Sequence, residues 1–280
     1  MMNAGLTTNP GRVIAITIGK QAIQRMFLER SMMKRFLLSL VLFSLAVTPA
    51  LAEQVLVAVA ANFVPPFREV AMEFEKATGH NVRVASGSSG NFYTQIKNGA
   101  PFDVFFSADA DRPKLLENEG LGVTGSRFTY AIGRLVLWSP NPDLVKGEDT
   151  LRSEKFKHLA IANPKSAPYG VAAMQAMQKL GIWERMQPRI VLGENLGQTM
   201  GFIESGNAEL GFLALSQVMD PKIKGKGERW DVPIDLHEPI QQDVVLLTKG
   251  KDNPAAKALM EFIGGPQAKA IIERYGYEPK

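Results

Sequence analysis

The sequence contains no cysteine and only three histidines among its 280 residues. The lack of cysteine excludes disulfide bonds, thiolate metal sites and cysteine nucleophiles from any account of its function. The three histidines, His80, His158 and His237, are far apart along the chain. A metal site made of histidines would require all three to converge, so we do not expect one.

Most of the chain also lacks an excess of either charge. The full sequence carries a formal net charge of +4, but residues 1–52 hold six basic residues and one acidic residue. The rest therefore contains 26 basic and 27 acidic residues, a net charge of −1. Because nucleic-acid-binding proteins need a basic surplus to neutralise phosphates, we expect no nucleic-acid partner.

The N-terminal residues have the pattern of a leader. Met33-Lys34-Arg35 is a short basic segment, residues 36–47 are almost wholly apolar, and Ala50-Leu51-Ala52 has the small-x-small pattern of a cleavage site. We interpret residues 1–52 as an N-terminal extension followed by a secretory signal peptide, with cleavage near 52/53. The alternative is a membrane anchor, but the apolar run is shorter than the roughly 20 residues that a span needs.

Apolar strands alternate with amphipathic helices through the rest of the chain. Residues 55–61 (V-L-V-A-V-A-A) predict a buried strand, and the apolar residues that follow have the spacing of one helix face. These are Phe67, Val70, Ala71 and Phe74. Strand–helix alternation predicts an α/β fold with mostly parallel sheets and crossover helices.

The strand–helix pattern restarts after residue 133, which favours two lobes with a ligand cleft between them. We assign residues 53–132 and 241–280 to lobe 1. Residues 133–240 form the predicted lobe 2.

Small or neutral polar residues follow the ends of four predicted strands. The segments are residues 61–62, 87–90, 163–170 and 193–197, and Lys165 is their only basic residue. Each leads into a helix, whose first N–H groups are unpaired and carry partial positive charge. Taken alone, each segment is better explained by helix caps and turns. Together they indicate an anion site that uses no arginine or lysine.

Six blocks of the sequence, taken together, are similar to one family of exported proteins. The blocks are V-A-V-A-A-N-F (57–63), G-S-S-G (87–90), N-G-A-P-F-D-V-F-F-S-A-D (98–109), G-S-R-F-T-Y-A-I-G-R-L-V-L-W-S (125–139), A-N-P-K-S-A-P-Y-G (162–170) and residues 206–215. Over residues 53–280 the sequence resembles the periplasmic molybdate-binding proteins of ABC importers. The resemblance implies a periplasmic, two-lobed type II binding protein that closes on molybdate or tungstate.

The resemblance also implies which residues bind the oxyanion. The matching positions are Ala61, Asn62, Ser89, Tyr169 and Leu196. Asn62, Ser89 and Tyr169 would hold the molybdate, and Ala61 and Leu196 would offer backbone N–H groups. Some relatives have a hydroxyl residue at position 61, and others a tyrosine at position 213, where this chain has Leu213.

The partners implied by the resemblance are a transmembrane ABC permease and a small inorganic oxyanion. The protein would be a monomer, would need no cofactor and would catalyse no reaction. A rigid ring of neutral donors can separate molybdate from sulfate by size, because a smaller dianion cannot reach every donor at hydrogen-bond distance. We therefore expect Ser89→Ala and Asn62→Ala to weaken binding with little loss of folding.

Two other functions stay open. One is a binding protein for a different cargo, such as sulfate, phosphate, a carboxylate or chelated iron. The other is a hydrolase with Ser88 or Ser89 as its nucleophile. The hydrolase is disfavoured because G-S-S-G is one residue shorter than the G-x-S-x-G elbow.

Overall fold

The computed structural model describes residues 52–153 and 155–278. Apart from Ala52, the predicted N-terminal extension and signal peptide lie outside these residues. Among the helices that are described, none has the length and apolar character required to cross a membrane.

The first sheet has five strands in the order β2-β1-β3-β10-β4. Their bounds are β1 Gln54–Ala60, β2 Asn81–Gly87, β3 Val104–Phe106, β4 Phe128–Gly133 and β10 Ile240–Leu246. Strand β1 pairs in parallel with β2 and β3, whereas β10 pairs antiparallel with β3 and β4.

The second sheet also has five strands, in the order β7-β6-β8-β5-β9. Their bounds are β5 Leu135–Ser139, β6 Leu159–Ala162, β7 Ile190–Gly193, β8 Leu210–Ala214 and β9 Glu228–Asp231. Strand β6 pairs in parallel with β7 and β8, whereas β5 pairs antiparallel with β8 and β9.

The α/β, two-lobed fold class is confirmed, but the sheets are mixed rather than mostly parallel. In each sheet two of the four pairings are antiparallel. The chain enters the second sheet directly from β4 and returns to the first sheet between β9 and β10. A parallel pairing requires a crossover, usually a helix, so strands that arrive from the other sheet are free to pair antiparallel.

Ten helices accompany the strands within the described residues. Their bounds are α1 Val64–Thr78, α2 Ser89–Lys97, α3 Asp111–Asn118, α4 Asp149–Arg152, α5 Pro168–Lys179, α6 Trp183–Met186, α7 Leu196–Glu204, α8 Leu215–Val218, α9 Pro254–Gly264 and α10 Pro266–Arg274. Helix α1 begins with proline in its first turn, which costs no hydrogen bond there. Its predicted face is buried in the core of the first sheet.

Four helices begin at the carboxyl ends of strands, as the sequence predicts. A 3₁₀ turn of three residues connects β1 to α1, Ser88 connects β2 to α2, and short segments connect β6 to α5 and β7 to α7. Because the carboxyl ends of parallel strands lie at one edge of a sheet, the starts of α1 and α2 lie together at an edge of the first sheet, and the starts of α5 and α7 lie together at an edge of the second.

Candidate functional site

The four helix starts surround one cavity of about 210 Å³, counting its opening to solvent. Its lining comes from segments that follow strands of both sheets. The lining residues are Ala60, Ala61, Asn62, Gly87, Ser88, Ser89, Ala108, Ala167, Pro168, Tyr169, Asn195 and Leu196. All five residues singled out from the sequence are among these twelve, and none of the twelve is charged. That they bind an anion stays a prediction.

A larger and more open groove of about 840 Å³ adjoins the cavity and shares Ala108 and Pro168 with it. The groove contains the charged residues Asp109, Asp111, Arg112 and Glu238. Arg112 forms an ion pair with Asp109, three positions before it on the chain. The smaller cavity is therefore distinguished by its uncharged lining.

The end of β1 contributes a tight turn with unpaired backbone donors. Ala61, Asn62 and Phe63 form a buried 3₁₀ turn, and the Val64 N–H donates to the Ala61 carbonyl oxygen. The first N–H groups of such a turn have no partner within it. Ala61 and Asn62 therefore bring backbone donors to the cavity wall.

The end of β2 contributes two serines whose oxygens are already in use as acceptors. Ser88 caps α2, and its Oγ accepts from the Asn91 N–H at 3.3 Å. The Ser89 Oγ accepts from the Ala108 N–H at 2.9 Å. Both serines are buried. Since each oxygen is held by a backbone donor, each hydroxyl proton is left to donate to another group.

The segments after β6 and β7 contribute two more helix starts. Helix α5 begins at Pro168, which has no N–H, so Tyr169 supplies its first backbone donor. Asn195 caps α7, and its Oδ1 accepts from the N–H groups of Gly197 at 2.9 Å and Gln198 at 3.1 Å. The N–H of Leu196, the first residue of α7, is not used by this cap.

The side chain of Asn62 is committed to partners behind the cavity. Its Nδ2 donates to the Gln242 Oε1 at 2.7 Å and to the Tyr277 hydroxyl at 2.9 Å. An amide nitrogen has two hydrogens, so both are engaged. Asn62 thus faces the cavity without a free side-chain N–H, and its remaining donor is its backbone N–H.

Tyr169 likewise reaches away from its own helix. Its hydroxyl lies 3.4 Å from the Gln242 Nε2, a long hydrogen bond between α5 and β10. A Cβ atom placed on Gly133 would lie 2.2 Å from this hydroxyl, so glycine at the end of β4 leaves the space that the ring occupies.

Two further groups complete this buried network. The Ser216 Oγ donates to the Asn62 carbonyl oxygen at 2.7 Å and lies 2.9 Å from the Tyr277 hydroxyl. The Tyr130 hydroxyl lies 3.1 Å from both the Gln242 Oε1 and the Ser107 carbonyl oxygen, which share its one proton. We call these residues the inter-lobe network: Asn62, Tyr130, Tyr169, Ser216, Gln242 and Tyr277. Of these six residues, the sequence singles out only Asn62 and Tyr169. The signal for another member is the run of polar residues Gln241, Gln242 and Asp243 that precedes the apolar half of β10.

The chain matches the model of a family described as "Bacterial extracellular solute-binding protein", over residues 55–278. It belongs to this family. The match covers every strand and helix described above apart from the first residue of β1. The cavity and the inter-lobe network are therefore features of a solute-binding protein.

Its relatives agree with this assignment. It is 55% identical over 230 residues to the molybdate-binding protein ModA of Azotobacter vinelandii, covering 81% of this chain and 91% of the relative. It is 51% identical over 229 residues to ModA of Rhodobacter capsulatus, covering 82% of this chain and 90% of the relative. Among solved structures, the periplasmic molybdate-binding protein of Azotobacter vinelandii aligns with a TM-score of 0.78 at 43% identity, covering 81% of this chain and 99% of that one.

The tyrosines of the solute-binding protein's inter-lobe network stay uncharged. Burial disfavours the charged form of a tyrosine, so it raises the pKa values of Tyr169 and Tyr130 well above the ordinary value for this side chain. Burial also raises the pKa of Tyr277 to about 12, although hydrogen bonds from Ser216 and Asn62 act in the opposite direction. The region behind the cavity therefore carries no tyrosinate charge near neutral pH.

Proposed function

We propose that this solute-binding protein captures molybdate in the cavity between its lobes and delivers it to the transmembrane permease of an ABC importer. The observation that carries the proposal is an uncharged cavity lined by helix starts from both sheets. Such a lining suits a dianion, because unpaired N–H groups and partial positive charge both face it. The two relatives described above are named as molybdate-binding proteins.

In this proposal the donors are mostly backbone groups. Ala61, Asn62, Tyr169 and Leu196 each offer an N–H, and Ser89 offers its hydroxyl proton. Hydrogen bonds to a charged group are worth about 1.5–3 kcal/mol each. These five bonds can offset the cost of desolvating and immobilising a small anion and leave a micromolar or tighter affinity.

The same donors favour a large, fully deprotonated oxyanion. Tungstate has the shape and charge of molybdate, so we include it as a ligand. Sulfate is smaller and would leave part of the ring of donors beyond hydrogen-bond reach. Phosphate near neutral pH carries a proton that needs an acceptor, and the twelve residues that line the cavity include no carboxylate to accept it.

A binding role fits the cavity better than serine chemistry. A nucleophilic serine needs an adjacent base to take its proton. The twelve residues that line the cavity include no histidine, aspartate, glutamate or lysine. We therefore propose a receptor that releases its cargo unchanged.

The remaining parts of the proposal concern the chain as a whole. Residues 1–52 would direct export and be removed near 52/53, so the mature protein would lie in the periplasm. It would act there as a monomer. The lobes would comprise residues 53–132 with 241–280, and residues 133–240. The cavity would close when these two parts approach each other around the anion.

Thermal unfolding with and without anions tests the proposal. Molybdate should raise the Tm, because a ligand at a thousandfold excess over Kd stabilises the folded protein by about 4 kcal/mol. It should also change the fluorescence of Trp138, Trp183 or Trp230. Tungstate should act similarly and an equal concentration of sulfate should do little. No response to molybdate would refute the function, and an equal response to sulfate would refute selection by size.

A further inference from the structure

One backbone hydrogen bond beside the cavity joins segments that follow strands of different sheets. The Gly90 N–H, in the first turn of α2, donates to the Ser166 carbonyl oxygen at 2.9 Å. Helix α2 follows β2 of the first sheet, and Ser166 lies between β6 of the second sheet and α5. Gly90 comes directly after Ser89, so this bond lies at the edge of the proposed site.

The contact leaves no room for a side chain at position 90. A Cβ atom there would lie 2.9 Å from the Ser166 carbonyl oxygen and 3.0 Å from its Cα. Both are backbone atoms and cannot rotate aside, so the two segments would have to move apart. Gly90 is not among the glycines with positive φ, so alanine could adopt its backbone conformation. What glycine provides at this position is space for the opposite segment.

We propose that Gly90 and Ser166 form an inter-lobe clasp, and that the absence of a side chain at Gly90 is what allows the lobes to close fully over the anion. The inference rests on the proposed function. The bond exists only while α2 and the segment before α5 are in contact, so it stabilises the closed form and not an open one. Gly90 is thus a positioning residue, whose main effect should be on the release of the ligand.

Gly90→Ala tests the clasp, with Gly201→Ala as its matched control. Gly201 lies in the middle of α7, and a Cβ atom there would meet nothing within 4 Å. Both changes replace a helical glycine with a better helix former, so both should leave the anion-free Tm unchanged or slightly raised. Stopped-flow fluorescence should show molybdate leaving Gly90→Ala about tenfold faster than wild type, with a similar association rate. Gly201→Ala should release molybdate at the wild-type rate.

The outcomes separate the clasp from the proposed function. If wild type binds molybdate and both variants release it at the wild-type rate, the clasp is refuted while the function stands. A lower anion-free Tm in Gly90→Ala alone would also overturn it, because the residue would then serve folding rather than closure. If wild type binds no molybdate, the function fails. Hydrogen exchange at the amide of residue 90 then decides whether the Gly90–Ser166 bond holds the lobes together without an anion: faster exchange in Gly90→Ala than in wild type supports this part of the clasp, and equal exchange refutes it.

Discussion

Replacing Gln242 with glutamate should make the stability of the protein depend on pH in a predictable direction. Gln242 is fully buried. Its Oε1 accepts from Asn62 and Tyr130, and its Nε2 faces the Tyr169 hydroxyl. A protonated carboxyl can reproduce this pattern with one oxygen accepting and one O–H donating, whereas a carboxylate can only accept.

The magnitude follows from burial. A glutamate has a pKa of about 4.3 in an unfolded chain, and full burial raises it by roughly 3 units. A raised folded-state pKa means that the folded protein holds the proton more tightly, so the stability is complete below about pH 4 and is lost as the pH rises towards the folded pKa. At about 1.4 kcal/mol per unit, Gln242→Glu should lose about 4 kcal/mol of unfolding free energy between about pH 4 and about pH 7.

Molybdate binding should change in the same direction. The new carboxylate would lie behind Asn62 and close to a bound dianion, and like charges in a poorly solvated region repel. We expect the affinity of Gln242→Glu for molybdate to fall about tenfold or more between about pH 5 and about pH 8. The wild-type affinity should stay nearly constant over this range, because the tyrosines of the network remain neutral.

Urea unfolding and calorimetric titration at several pH values measure the two effects. Gln242→Met is the control, since methionine has a similar length but cannot titrate. It should destabilise the protein equally at every pH, by about 1–3 kcal/mol for the buried polar groups left unpaired. A flat stability profile for Gln242→Glu, parallel to that of Gln242→Met, would refute the assignment of Gln242 to a dry, fully bonded network.

Two further predictions concern the site and its supports. Ser89→Ala should weaken molybdate binding about tenfold or more and lower the free energy of unfolding by about 1 kcal/mol. Asn62→Ala should lower the free energy of unfolding by about 2–4 kcal/mol, because two buried partners lose their donor. Urea unfolding and calorimetry measure the two effects, and equal stability losses in the two variants would contradict the contacts described. Stability should also fall at high pH. The pKa of Tyr277 is raised to about 12 in the folded protein, so its contribution is complete below about pH 10, and roughly 2–3 kcal/mol of unfolding free energy is lost as the pH rises through 12. Tyr277→Phe should lack this part of the alkaline decline.

Hydrophobic periodicity was enough to predict the elements that carry the cavity. The apolar run V-L-V-A-V-A-A predicts β1, and the i, i+3, i+4, i+7 spacing of the apolar residues after it predicts α1. The segment 193–197 is predicted to lead into a helix, and α7 begins there at Leu196. Since ligands bind at the carboxyl ends of parallel strands, the four strand ends also predict where a site should lie. The cavity is lined by residues from each of these four ends.

The hydrophobic pattern does not predict strands β4 and β9, because neither segment alternates regularly between apolar and polar residues. Strand β9 reads E-R-W-D and lies at the edge of the second sheet, where charged residues protect an exposed edge. Strand β4 pairs with β10 through a register shift between Gln242 and Asp243, which leaves Tyr130 without an opposite residue. Such a bulge breaks the alternation on which strand prediction depends.

The inter-lobe network could not be predicted, because its members come together only through the fold. Gln242 is 180 residues from Asn62 along the chain, and Tyr277 is 215 residues from it. Neither belongs to a motif in the sequence. For the same reason the sequence alone predicts that Asn62→Ala spares folding, whereas the contacts of Asn62 in the structure predict a loss of stability.

The position of Asn62 links the fold to the proposed chemistry. Its side chain is bonded to Gln242 and Tyr277, and its carbonyl oxygen accepts from Ser216 and Tyr277. Because both the side chain and the carbonyl oxygen of Asn62 are held by hydrogen bonds, the backbone N–H groups of this turn cannot shift to suit a smaller ion. A buried polar network that is fully bonded is rigid, whereas a partly bonded one costs stability. In the proposed function, selection by size needs a ring of donors that does not adapt, so it would depend largely on the network residues behind the cavity that do not contact the anion.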